Sequence, residues 1–155
     1  MTGSPAALDR FIADWREPLE QQAGVLFATG ALDAPSLMHT DVADRFVQSQ
    51  GLRPIGANWE MLDPSGDDSA PRSAIAFFAD ALSQNMVLPR RSWLGEGRAR
   101  QCGREFLACF EPRSRTILTN RMDFGWNPIS AANVEWAFIG FDDQKIALLL
   151  LAAQD

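Results

Sequence analysis

Tyrosine is absent from this chain, histidine and lysine each occur once (His39 and Lys145), and cysteine occurs twice. Each shortage closes off chemistry. With no phenol, one imidazole and one amine, acid–base work near neutral pH falls to carboxylates, arginines, hydroxyls and two thiols. The motifs G-x-S-x-G and H-E-x-x-H do not occur, which removes the usual starting points for a serine hydrolase or a zinc peptidase. Cys102 and Cys109 have no histidine nearby to complete a tetrahedral zinc site, so they read as structural thiols. On a single strand their odd separation would point them to opposite faces. The sequence calls for neither a metal nor a cofactor. Long apolar runs are also missing: the longest, from Ile146 to Ala153, falls far short of the roughly 18 to 20 residues of a membrane-spanning helix. The first twenty residues carry Asp9, Asp14, Glu17 and Glu20, which excludes the apolar core of a secretory leader there. The expectation is a cytoplasmic protein with no membrane span.

What is present is enough to fold. A chain of 155 residues with 46% hydrophobic side chains suits a single domain over residues 1–155. The net charge of −6 is unevenly spread. Residues 1–89 hold 5 basic and 12 acidic side chains, residues 90–121 hold 8 and 3, and residues 122–155 hold 1 and 5. The middle block contains Arg90, Arg91, Arg98, Arg100, Arg104, Arg113, Arg115 and Arg121, with Trp93 among them. Such a mixture suits a carboxylate or phosphate, or a flat ring stacked on a guanidinium. The same arginines could instead neutralise the protein's own surplus carboxylates. A pI of about 4.7 argues against nucleic acid, whose binders usually carry a pI above about 9.

Hydrophobic periodicity sets the expected architecture. Ser4 and Pro5 read as the N-cap and first position of a helix carrying Leu8, Phe11, Ile12, Trp15 and Leu19, with Pro18 as a break or kink. The pattern Leu19, Ala23, Leu26, Phe27 continues at helical spacing to Gly30. A connection with Asp33, Pro35 and Ser36 leads to a short helix capped at Thr40 and closed by Gly51. A short strand over residues 58–62 and a surface loop over residues 63–68 follow. Pro71 opens a helix whose apolar stripe is Ile75, Phe78, Ala79, Leu82 and Met86, stopped by Pro89. The period then becomes two, with strand candidates at residues 104–111, 116–124, 133–141 and 146–153. Short turns at residues 112–114 and 142–144 imply an antiparallel meander. The last strand is apolar on both faces, as for a central or doubly covered strand.

Together these give an α+β domain, N-terminal helices packed on a C-terminal four- to five-stranded antiparallel meander, either cone-like or an open sheet. The order of elements resembles that of the nuclear-transport-factor-2-like and cystatin-like cone folds, with no family motif to accompany it.

The candidate site residues follow from this frame. The segment Gly95–Gly103 (GEGRARQCG) lacks the third glycine of a dinucleotide loop, where Arg100 stands, and the lysine of a phosphate loop, so it reads as a connection. Arg121 and Asp123, two apart on one strand, share a face; Asn120 points the other way. In a cone, one face would form a pocket with Trp126, Trp136 or Phe138. Trp93 and Trp126, in loops bordered by glycine or proline, are expected to be exposed for contact. Three readings result. The first is a non-catalytic binding domain in which Trp93, Arg98, Arg100, Asn120, Trp126 and Trp136 contact an anionic small molecule or a protein partner. The second is a small cone-fold enzyme with Asp123 as general base, Arg121 or Asn120 steadying negative charge, and His39 as a further catalytic candidate. The third is a subunit of a homodimer or larger homo-oligomer in which a second copy covers the last strand.

Overall fold

The first helix forms because Leu8, Phe11, Trp15 and Leu19 recur every three or four residues, and all four are buried. In the computed structural model, which describes residues 5–32, 38–123 and 125–153, this helix, α1, spans Pro5–Glu20 and runs on through Pro18 without a break. Ser4, Asp33, Pro35, Ser36 and Phe124 lie outside the described residues. The remaining elements are β1 (Ala23–Ala31), α2 (His39–Ser49), a 3-10 turn at Gly56–Asn58, β2 (Glu60–Leu62), α3 (Ala74–Leu82), α4 (Glu96–Ala108), β3 (Thr116–Thr119), β4 (Arg121–Met122), β5 (Gly125–Trp126), β6 (Glu135–Phe141) and β7 (Lys145–Ala153).

The sheet is open, antiparallel and five-stranded, in the order β1-β7-β6-β3-β2, with β4 and β5 as a separate two-stranded ribbon. The α+β architecture is as the sequence implies, but several elements differ: the helix expected from Pro71 to Met86 is Ala74–Leu82 with Ser73 as its N-cap, α2 begins at His39 without a cap from Thr40, and the strand expected over 116–124 is divided between β3 and β4. Residues 23–31 form a strand rather than a second helix, and they take the place beside β7. Residues 104–111 belong mostly to α4, so the alternating rhythm begins at Thr116. The thiols therefore sit two helical turns apart on one buried side of the chain instead of on opposite faces of a strand.

Both faces of the sheet are covered. Phe138, Leu149, Leu151 and Ile117 face α1, α3 and α4 in one core, where Phe78 stacks on Phe138 at 4.0 Å and Phe106 bridges to Phe11 and Phe110. Leu118, Ile139, Leu148 and Leu150 face α2, Trp59 and Ile129 in a second core. Fully burying one such side chain contributes about 1.5 to 3 kcal/mol. A cone needs one face left concave and open, and this sheet has none. β7, with β1 and β6 at its sides and a core on each face, has no surface left for a second copy to cover.

One glycine and one carboxylate fix the joints. A Cβ at Gly103 would lie 2.9 Å from Cβ of Phe78, so glycine there lets α4 approach α3 closely. Asp44 on α2 accepts from the main-chain N–H groups of Ile55 and Gly56 and from Trp59 Nε1 at 2.8 Å, which fastens the 55–59 segment over the second core. No helix among the described residues is long and apolar enough to cross a membrane.

Candidate functional site

Where β3 ends, the chain leaves the main sheet and enters the ribbon, and a buried polar knot controls the exit. Asn120 Nδ2 donates to Asn127 O at 3.0 Å and Glu135 Oε2 at 2.9 Å, and its Oδ1 accepts from Ala137 N at 2.8 Å. Glu135 also accepts from the N–H groups of Ile129 and Ser130 and from Ser130 Oγ at 2.7 Å. Both side chains are fully buried and their hydrogen-bonding capacity is used inside the protein, so Asn120 is a structural amide.

One residue further on, Arg121 joins three elements. Its guanidinium donates to Asp80 Oδ2 at 2.9 Å and to Phe77 O at 3.4 Å, and lies 4.3 Å from the centre of the Trp136 ring. Trp126 meets Trp136 edge to face at 5.5 Å. Burial pulls the Arg121 guanidinium below its ordinary pKa against the opposing effect of Asp80. Arg121 Nε and Trp126 Nε1 are buried without a hydrogen-bond partner. Asp123 does not share a strand face with Arg121, because the chain turns there; its carboxylate is exposed. It edges a cleft of about 280 Å³ with Glu60, Arg72, Phe77 and Met122. The sheet concavity imagined around Asp123 does not exist, and Phe138 is sealed beneath Phe78. His39 opens α2 on the opposite side of the sheet from Trp136, so Asp123, Arg121 and His39 are not brought together.

Three arginines of the block, Arg100, Arg104 and Arg121, are ion-paired among the described residues. Arg100 pairs with Asp68 and Glu96, both at 3.1 Å, and Arg104 reaches the same Asp68 at 3.4 Å. Arg98 lies 5.6 Å from the Trp15 ring. Arg115 donates to Pro64 O and Leu107 O. The segment expected as a loop is the first half of α4, and it docks against the acidic 63–68 turn. Among the described residues no group of three His, Cys, Asp or Glu side chains is placed to hold a metal ion.

Trp93 is 8% exposed, against the expectation of a contact residue. Its indole N–H donates to Pro18 O at 3.3 Å, and its burial anchors a feature the sequence did not single out. After α3 the chain makes a small hairpin in which Gln84 bridges Ser92. Asn85 organises the loop between them. Its Oδ1 accepts from Val87 N at 3.0 Å and Leu88 N at 2.9 Å, its main-chain N–H donates to Arg91 O at 2.7 Å, and Arg91 N donates to Leu88 O at 2.8 Å. Gln22 ties the loop to the end of α1 through Asn85 Nδ2 and Ser92 O, both at 2.8 Å. On this frame Val87 (53% exposed), Leu88 (58% exposed), Pro89, Arg90 and Arg91 all face solvent. Neither Arg90 nor Arg91 is in an ion pair among the described residues. The available signal was Asn85 two residues before an apolar pair and Pro89, an arrangement that favours a side-chain-closed turn over helix.

No family model, curated protein or solved structure matches the chain.

Proposed function

We propose that this protein is a non-catalytic protein-binding domain, and that residues 87–91 are its contact loop. The observation that carries the reading is the loop itself, in which two large apolar side chains and two arginines stand in solvent on a closed hydrogen-bonded frame. A loop already held in one shape loses little conformational freedom on binding. The partner surface that fits is an apolar pocket rimmed by carboxylates, which would take Val87 and Leu88 into the pocket and Arg90 and Arg91 at its edge. The anionic small-molecule alternative is less favoured, since Arg100 is held by Asp68 and Glu96 and Trp93 is buried. The net charge of −6 opposes attraction of the whole molecule to an anionic bilayer. Two free, buried thiols suit a reducing compartment, which supports placing the protein in the cytoplasm.

The test is affinity capture followed by cross-linking. Wild type is compared with a variant carrying Leu88→Ser, Arg90→Glu and Arg91→Glu, all at exposed positions. The expected result is a partner cross-linked at residues 87–91 and bound at least about tenfold more weakly by the variant, with an unchanged melting temperature. A partner bound equally by both proteins would count against the loop.

A further inference from the structure

β1 is the end strand of the sheet and pairs with β7 along all nine of its residues without a bulge. On its other side no described residue hydrogen-bonds to its main chain. Proteins guard such edges with charge, proline, bulges or shortness. The strand Ala-Gly-Val-Leu-Phe-Ala-Thr-Gly-Ala has none of these, and Leu26 is 39% exposed. The far edge of the same sheet shows the contrast. There β2 is three residues long, and Arg72, held by Glu60, donates its Nε–H to Met61 O at 3.3 Å.

The helix above the bare edge is arranged to match it. One flank of α1 faces α4, where Ala7, Arg10 and Asp14 border a groove with Glu105 and Cys109. At about 100° per residue, the opposite flank carries Asp9, Ile12, Arg16 and Glu20 and looks out past β1. A shallow groove of about 550 Å³ lies there, lined by Ile12, Ala13, Arg16, Glu17, Glu20 and Gln21. The Phe11 ring is 5.7 Å from that of Phe27, so the turn of α1 carrying Ile12 stands over the middle of the strand.

We propose that β1 pairs antiparallel with β1 of a second copy of this chain, about a two-fold axis at Phe27, joining the two five-stranded sheets into one. Around that axis Ile12 meets its own counterpart. Because α1 runs the opposite way in the second copy, Arg16 stands opposite Asp9 of the partner subunit, and Asp9 opposite Arg16 of the partner subunit. The edge is therefore complementary to itself in backbone pairing, as a closed two-fold interface requires, and Arg16 would exchange its 3.8 Å contact with Glu20 for Asp9 of the partner subunit. The pairing uses none of residues 87–91 and stands or falls apart from the contact loop.

Sedimentation equilibrium on the full chain over a wide concentration range tests it, with a species of twice 17.1 kDa expected. Leu26→Lys and Thr29→Lys, both at exposed positions, are each expected to weaken association by at least about tenfold, since each lysine enters the interface twice. The same residue placed by Gln144→Lys, in the β6–β7 turn, leaves association unchanged, and circular dichroism checks that all three variants fold. Arg16→Asp weakens the dimer, and adding Asp9→Arg restores it. A chain that stays monomeric to its solubility limit, a dimer indifferent to both edge lysines, or a charge exchange that fails to restore association would each overturn the proposal.

Discussion

The only lysine of the chain is buried, and so is the carboxylate it meets: Lys145 Nζ donates to Asp142 Oδ2 at 2.7 Å in the β6–β7 turn. Asp142 also accepts from the main-chain N–H groups of Glu111, Gln144 and Lys145, and Nζ lies 5.5 Å from the Phe110 ring. Removing one member of a buried pair typically costs about 3 to 5 kcal/mol, because the other charge is left uncompensated. Lys145→Met leaves Asp142 its three main-chain donors, so its cost belongs near about 3 kcal/mol. Asp142→Asn strands the ammonium and belongs near about 5. Against a total stability of about 5 to 15 kcal/mol, either loss is large. The double variant Asp142→Asn with Lys145→Met should lie above the sum of the singles in stability by at least about 1 kcal/mol, since each single already destroys the pair. Urea melts monitored by tryptophan fluorescence measure all four proteins. The pH dependence has a definite sign. Burial alone would raise the Asp142 pKa, but Lys145 and the three N–H donors outweigh it and hold the carboxyl below its ordinary 3.8. Its contribution is thus whole above that ordinary value and is lost as pH falls through the lower folded value, where the unfolded chain already binds the proton. Lys145→Met removes one of those lowering influences and should move acid unfolding to higher pH. Additive single losses, or singles each under about 1 kcal/mol, would refute a coupled buried pair.

Two glycines predict opposite outcomes. Gly140→Ala drives a methyl to within 2.4 Å of the Phe110 ring, which is itself packed on Phe106, so it should cost about 1 to 3 kcal/mol or more in denaturant melts. Gly97→Ala, in the first turn of α4 with nothing within 4 Å, should instead stabilise by up to about 1 kcal/mol. Burial pushes the Cys109 thiol up to about 12, with Lys145 opposing and Glu105 assisting, and burial raises Cys102 well above its ordinary value. A disulfide reagent at mildly alkaline pH should therefore release no colour from the native protein and two equivalents after denaturation, a count that uses both cysteines of the chain. An amine-reactive ester should leave Lys145 unmodified in native protein and acylate it on unfolding, as read by peptide mass mapping.

The parts of the fold legible in the sequence were those whose local pattern admits one reading. Leu8, Phe11, Trp15 and Leu19 fit a helical stripe, and the short, doubly apolar run in β7, preceded by the turn residues Asp142 to Gln144, fits a strand between two cores. β1 was misread because Ala23, Leu26 and Phe27 satisfy helical spacing while Ala23, Val25 and Phe27 equally satisfy a period of two. The β-branched Val25 and Thr29 and the glycines at 24 and 30 favour the strand. In α4 the helical set Ala99, Cys102 and Phe106 was present, but Gly97 and Gly103 disguised its first half as a loop and the rhythm from Arg104 its second half as a strand; Gly103 is there for contact with Phe78, which is not a local property. The candidate site was legible only as chemistry. Arg121, Trp126 and Trp136 do assemble, whereas Trp93 turns inward to Pro18, Arg100 pairs with Asp68 and the exposed Arg98 lies beside Trp15, contacts made with distant parts of the chain.

The exposed loop and the bare edge are mechanically linked through Gln22, which holds Asn85 and Ser92 and is followed directly by the first residue of β1. In an antiparallel ladder of two nine-residue strands, the first residue of one lies beside the last of the other, so the two starting ends stand roughly 30 Å apart. Each carries its own copy of residues 87–91. A two-fold pair would therefore present two rigid apolar and basic loops on one continuous sheet, at a spacing fixed by the strand length rather than by a flexible linker. Bivalent engagement gains most when the span between sites is fixed to match the target. In such a pair the edge strand would set the distance and the loop would supply the contact. A partner that is itself two-fold symmetric, with acidic-rimmed pockets at that separation, is the geometry the two features together would select.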